Sequence, residues 1–110
     1  VTLKDIIAKL DLQVLAGAGN LDQAVSGGYV ADLLSCVMTG AQPGHLWFTL
    51  QTHLNIVAVA SLLGVAAIVV TESAPVPPET IQKAEQEGVV LLSCAEPTFE
   101  AIVKLVRAGF

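Results

Sequence analysis

Between Leu46 and Ser73 the chain reads LWFTLQTHLNIVAVASLLGVAAIVVTES, and few folds can hold such a segment. Leu46–Leu50 is an apolar run suited to a strand, and Gln51-Thr52-His53 is a polar turn. His53–Leu63 is a helix of nearly unbroken apolar character, interrupted only by Asn55 and Ser61. Leu62-Leu63-Gly64 reads as its end, because glycine enters the left-handed cap conformation without a steric penalty. Ala66–Val70 follows as a second apolar strand. Parallel strands need a long crossover between them, and a helix is the usual one. The segment is therefore one β-α-β unit.

A membrane helix is the competing account, since a hydropathy window over this region scores high. The apolar run Ile56–Val70 is only 15 residues long and includes Ser61 and Gly64, whereas a span needs about 20. No Lys or Arg occurs between Lys9 and Lys83, so neither end has a cationic anchor. A buried crossover is expected, with no membrane partner.

The rest of the chain extends the pattern. Thr2-Leu3-Lys4-Asp5 resembles a capping box opening a helix to Leu10, with Leu3, Ile6, Ile7 and Leu10 on one stripe. A short extended piece over Gln13–Leu15 precedes a glycine-rich turn at Ala16–Asn20. Ala24–Tyr29 reads as a strand interrupted by Gly27-Gly28, and Ala31–Met38 as a short helix with Leu34, Val37 and Met38 inward. Pro78 suits the first turn of a further helix, Val89–Leu92 is another strand, and Pro97 opens a last helix. That helix is expected to turn Phe99, Ile102, Val103 and Val106 inward and Glu100, Lys104 and Arg107 outward. Strand–helix alternation with short connections and continuous apolar strands predicts a mostly parallel sheet flanked by helices. At 110 residues the expectation is a single α/β domain over 1–110.

Composition limits the partners. The net charge is −5, and Lys4, Lys9, Lys83, Lys104 and Arg107 are the only cations. Phosphate-backbone affinity scales with the cations presented, and five aromatic residues offer no stacking platform, so nucleic acid is not an expected partner. Charged residues make up 14% of the chain against 54% hydrophobic, where about 25% charged is ordinary. With an all-apolar Ile56–Leu63 helix, this points to apolar surface covered by a second copy. The chain enters a helical pattern directly, with no basic segment ahead of an apolar one, so a cytoplasmic location is expected. For Cys36 and Cys94 two readings stand, buried thiols in a reducing compartment or a disulfide.

Few motifs carry chemistry. Ser26-Gly27-Gly28 has two accounts, a bulge or turn glycine pair or a backbone phosphate cradle leading toward the Ala31 helix. It matches neither phosphate-loop pattern, and no cation lies near it in sequence. Cys36, His45, His53 and Cys94 lack metal-ligand spacing, so neither a metal nor a cofactor is expected. No nucleophile–base motif is present, which places a transferase or hydrolase last among the functions. Thr52, His53 and Asn55 follow one parallel strand, and Thr71, Glu72 and Ser73 follow the next. A right-handed crossover brings both groups to the carboxyl edge where α/β sheets bind ligands; ordinary helix capping by Thr52 is the alternative.

The order of segments has a further meaning. Leu21-Asp22 through Ser26-Gly27-Gly28-Tyr29, Pro43–Thr49, Gln51-Thr52-His53, Asn55–Leu63, Gly64–Thr71, Pro77–Ala84 and Gly88–Leu92 together resemble the DRTGG domain family. That family is similar to the N-terminal domain of HPr kinase/phosphatase. The family's namesake residues align near Thr52-His53 and Thr71-Glu72-Ser73, where Thr71 is kept and the Asp-Arg pair has no counterpart. Family members sit beside nucleotide-sensing CBS pairs or precede a catalytic domain. The resemblance implies a regulatory or dimer-forming module. Taken with the residues above, the expectation is a homodimeric, non-catalytic regulatory or ligand-sensing module, its ligand a nucleotide or another small anion held by Thr52, His53, Asn55, Thr71, Glu72, Ser73, Gly27 and Gly28. The alternative is an interaction adaptor that docks on a larger enzyme complex without a small-molecule site.

Overall fold

The computed structural model describes residues Val1–Phe110. It begins with helix α1, Leu3–Leu10. Thr2 Oγ1 accepts the Asp5 N–H and the Asp5 carboxylate accepts the Thr2 N–H, closing the expected capping box. These bonds hold the Asp5 carboxyl below its ordinary range, the Thr2 backbone N–H contributing most. Strand β1, Gln13–Ala16, leads to a 3-10 turn at Ala18–Asn20. Four β-α repeats follow. They are β2 (Gly27–Val30) with α2 (Leu34–Gly40), β3 (His45–Thr49) with α3 (Asn55–Leu63), β4 (Ala67–Val70) with α4 (Pro78–Glu87), then β5 (Leu91–Ser93) and α5 (Thr98–Arg107).

The sheet order is β1-β5-β4-β3-β2. Strands β2 to β5 are parallel and β1 pairs antiparallel with β5, so the fold is a mostly parallel α/β sheet. Successive side chains of a strand point to opposite faces, which divides the core in two. Leu46, Phe48, Ala67, Val69 and Leu92 pack with Leu3, Ile6 and Leu10 of α1 and Ala101 and Leu105 of α5. Trp47, Ile68, Val70 and Leu91 pack with Val37 of α2, Ile56, Val57 and Ala60 of α3 and Ala84 of α4. Both faces are covered, and this is why β3 and β4 read as continuous apolar runs.

The Leu46–Ser73 segment is the expected crossover. Gly64 caps α3 in the left-handed region, φ 70°, its N–H bonding the Ala60 carbonyl. No helix is long and apolar enough to cross a membrane.

Several boundaries and faces differ from the sequence-based expectation. The glycine pair does not interrupt a strand over Ala24–Tyr29. Gly27 and Gly28 open β2, and Ala24 makes only an isolated bridge to Thr2. Helix α2 starts at Leu34 rather than Ala31, because residues 31–33 turn the chain out of β2, and Met38 is 44% exposed. Helix α3 starts at Asn55, so Thr52 is not its N-cap. Helix α3 is flanked by α2 and α4; on its outer side Ala58 and Ser61 are small, and Leu62 is the exposed large residue. Helix α5 is rotated from expectation. Ala101 and Leu105 face the sheet, while Phe99 and Val106 are 76% and 63% exposed.

Candidate functional site

Strands β2 to β5 run in one direction, so the loops after them share one edge of the sheet. In open α/β sheets that edge holds ligands, above all where adjacent crossovers leave to opposite faces. Helices α2, α3 and α4 all lie on one face, and α5 crosses to the other. The divergence falls between β4 and β5.

That crevice is laced shut. Thr71, fully buried, shares a 2.6 Å hydroxyl–hydroxyl hydrogen bond with Thr98. The Glu72 and Ser73 N–H groups donate to the carbonyls of Glu96 and Cys94, each at 3.0 Å. Both residues hold left-handed backbone, φ 59° and 52°, which costs a non-glycine residue about 1 kcal/mol or more. Their side chains remain exposed. Beyond them Glu96 is hydrogen-bonded to Lys104, and this bond raises the Lys104 pKa above its ordinary value.

A recess of about 350 Å³ opens farther along the edge, lined by Asp32, Leu50, Gln51 and Thr52. Asp32 organises it. Its Oδ1 accepts the Thr49 hydroxyl at 2.8 Å and the Leu50 N–H at 2.7 Å. Thr49 Oγ1 in turn accepts the Gln51 N–H at 3.0 Å. The Trp47 indole N–H donates to the Ala31 carbonyl at 2.9 Å and fixes the loop that carries Asp32. The Thr52 carbonyl accepts the Thr80 hydroxyl at 2.7 Å, which ties α4 to the recess. His53 Nδ1 accepts the Asn55 N–H at 3.1 Å, so this imidazole does the capping at the start of α3. None of α2, α3, α4 or α5 has a capping bond from its own N-cap side chain. Four helix starts at this edge thus leave N–H dipoles turned toward the loops.

The expected residues are partly brought together. Thr52, His53 and Asn55 share this edge with Thr71, Glu72 and Ser73, but Thr71 is occupied within the core. Gly27 and Gly28 do not belong to the same edge. They pair with His45 and Leu46 at the opening of β3, at the far end of the sheet, and do not lead directly into a helix. Asp32 was missed because ending the strand at Tyr29 and starting the helix at Ala31 put it inside a helix. Its signal is an acidic residue just past an apolar strand end.

A larger cleft, about 540 Å³, lies at the opposite edge among Asn20, Gln23, Ser61, Gly64, Glu87 and Gly88. It faces the carbonyl ends of α3 and α4, where the helix dipoles repel anions. Asn20 Nδ2 already bonds the Gly88 carbonyl there.

Catalytic geometry is not assembled around the sulfur atoms. Both cysteines are free; Cys36 is exposed, against the expectation of burial, and Cys94 is buried. Burial is the main cause that pushes the Cys94 thiol up, away from the nucleophilic thiolate. A thiol-reactive disulfide reagent is expected to titrate one cysteine in the native chain and both in denaturant; two reacting at equal rates in the native state would contradict this packing. No three His, Cys, Asp or Glu side chains gather in a group that could hold a metal.

No family model and no curated protein matches the sequence. Among solved structures, the chain is similar to the CBS and DRTGG domains of the regulatory region of Clostridium perfringens pyrophosphatase, complexed with the activator diadenosine tetraphosphate. The TM-score is 0.74 at 16% identity, covering 97% of this chain and 46% of that one. The chain therefore spans about half the length of that regulatory region, and its fold is DRTGG-like.

Proposed function

We propose that this chain is a non-catalytic, ligand-sensing regulatory module that pairs with a second copy of itself. The observation that carries this reading is the fold. Nearly the whole chain superposes on part of a pyrophosphatase regulatory region that was crystallised with a nucleotide activator. The recess supports it from the residues upward, being polar, set at the carboxyl edge and held by side-chain hydrogen bonds.

The recess also refines the ligand. Its wall carries the Asp32 carboxylate and no cation. A phosphate would meet like charge there, whereas ribose hydroxyls or a base N–H would donate to Asp32. A nucleotide is therefore expected to enter by its nucleoside end.

Thermal unfolding with adenosine, adenosine monophosphate, diadenosine tetraphosphate and inorganic phosphate tests this. At a hundredfold excess over Kd a ligand stabilises by about 2.7 kcal/mol, which raises the midpoint by roughly 10 °C in a chain of this size. The nucleoside-bearing probes should shift it and phosphate should not. Asp32→Ala should abolish the shift. A flat response to every probe would reject ligand sensing and leave the adaptor reading. In the adaptor role the partner is a larger enzyme complex.

A further inference from the structure

We propose that the outward side of α5 is the face on which two copies of this chain pair, with the two α5 helices antiparallel about a two-fold axis. The proposal rests on the homodimer reading above and adds the face and the orientation.

Helix α5 carries two apolar sides. Ala101 and Leu105 are buried against the sheet. Phe99, Val103 and Val106 recur at steps of four and three residues, the spacing of a coiled-coil seam, and Phe110 lies past the helix end, beyond Gly109 at φ 95°. At 100° per residue the three helical positions point largely away from Ala101 and Leu105. Phe99 is three-quarters exposed, Val106 nearly two-thirds, Phe110 40%, and Val103 is half-buried. Helix α5 and the residues just past it expose Phe99, Val106 and Phe110 together, and apolar residues so grouped mark an interaction surface rather than chance exposure.

The charges beside the seam identify the occupant. Lys104 is already held by Glu96. Glu100 and Arg107 form no salt bridge within the chain, being seven residues, or about 10 Å, apart along the helix. Both occupy the same flank of the seam, Glu100 near its start and Arg107 near its end. In an antiparallel pair, Glu100 of one copy lies alongside Arg107 of the other, and the two-fold repeats the contact. Val103 then meets Val106 across the seam, and Phe99 lies against the end of the other copy's helix. A parallel pair provides no such opposite-charge contact. A self-complementary patch of this kind is what an isologous interface requires.

Light scattering over a concentration series is the test. The wild type should show a species of about twice 11.4 kDa. Val106→Glu should return it to the monomer with unchanged circular dichroism, since this side chain supports nothing within its own chain. Glu100→Arg and Arg107→Glu should each weaken dimerisation roughly tenfold, as each contact occurs twice and one exposed ion pair is worth up to about fivefold. The double exchange, Glu100→Arg with Arg107→Glu, should restore wild-type association. A monomeric wild type would overturn the homodimer reading and this one together. A dimer indifferent to Val106→Glu would overturn this face alone and direct attention to the exposed Val30, Leu33 and Met38. Failure of the double exchange to rescue would overturn the antiparallel arrangement.

Discussion

Trp47→Ala is expected to remove about 3–5 kcal/mol of stability, the range for truncating a buried aromatic side chain. Trp47 is fully buried at the centre of the sheet, between α2 and α3 on one of its two faces. Its replacement leaves a cavity in a layer where Ile68, Val70 and Ile56 are themselves fully buried and cannot easily collapse. It also removes the indole donor from the Ala31 carbonyl. A chain of this length has a total stability of about 5–15 kcal/mol, so one substitution takes a large share. Urea unfolding followed by circular dichroism measures it; fluorescence would not serve, because Trp47 is the sole tryptophan. With an m value of about 1–3 kcal/mol/M, the midpoint should fall by roughly 2 M. Trp47→Phe should fall by much less, and an alanine variant with a midpoint near wild type would contradict the packing described.

Gly17→Ala should destabilise by about 3 kcal/mol or more, combining overpacking with left-handed backbone. Gly17 has φ 81°, and a Cβ there would lie 2.7 Å from Val90 Cα, 2.8 Å from the Val89 carbonyl oxygen and 2.9 Å from Val90 N. All three are backbone atoms. The Val90 carbonyl is bonded to Ile68 N–H of β4, so this strand entry cannot step aside. The Gly17 N–H also donates to Glu85 at 3.0 Å. Gly19→Ala, two residues on, meets nothing within 4 Å and should change stability by less than about 0.5 kcal/mol. Equal unfolding midpoints for the two variants would refute the close approach at Gly17.

These two positions also mark what the sequence makes legible. The parallel sheet could be read because a strand covered on both faces leaves an unbroken apolar run, as at Ala67–Val70. The helix end at Gly64 could be read because the left-handed cap favours glycine, whereas Gly88, which the spacing puts on the inner side of α4, is that helix's left-handed cap. The close approach at Gly17 could not, since nothing local signals that Val90 lies against it.

The candidate site was legible in position more than in membership. The carboxyl edge follows from the crossover rule, and the capping weighed as the alternative for Thr52 is performed by His53. Asp32 is hidden by a helix start expected at Ala31, three residues before the observed one at Leu34. On α5 the apolar residues fall on nearly every side, so periodicity alone could not select the inner one. Small Ala101 allows the helix to approach the sheet, and the larger phenylalanine and valines are left outside.

The pairing of β1 with β5 sets the order in which the molecule can assemble. Strands β2, β3, β4 and β5 each bond their neighbour in sequence, so each can be added through a short loop closure as the chain lengthens. Strand β1 must wait, because its only partner lies about 78 residues away and closing so long a loop is slow. Until β5 exists, the first strand made has nothing to join. Strand β1 is thus the clasp of the fold, made before its partner and fastened last.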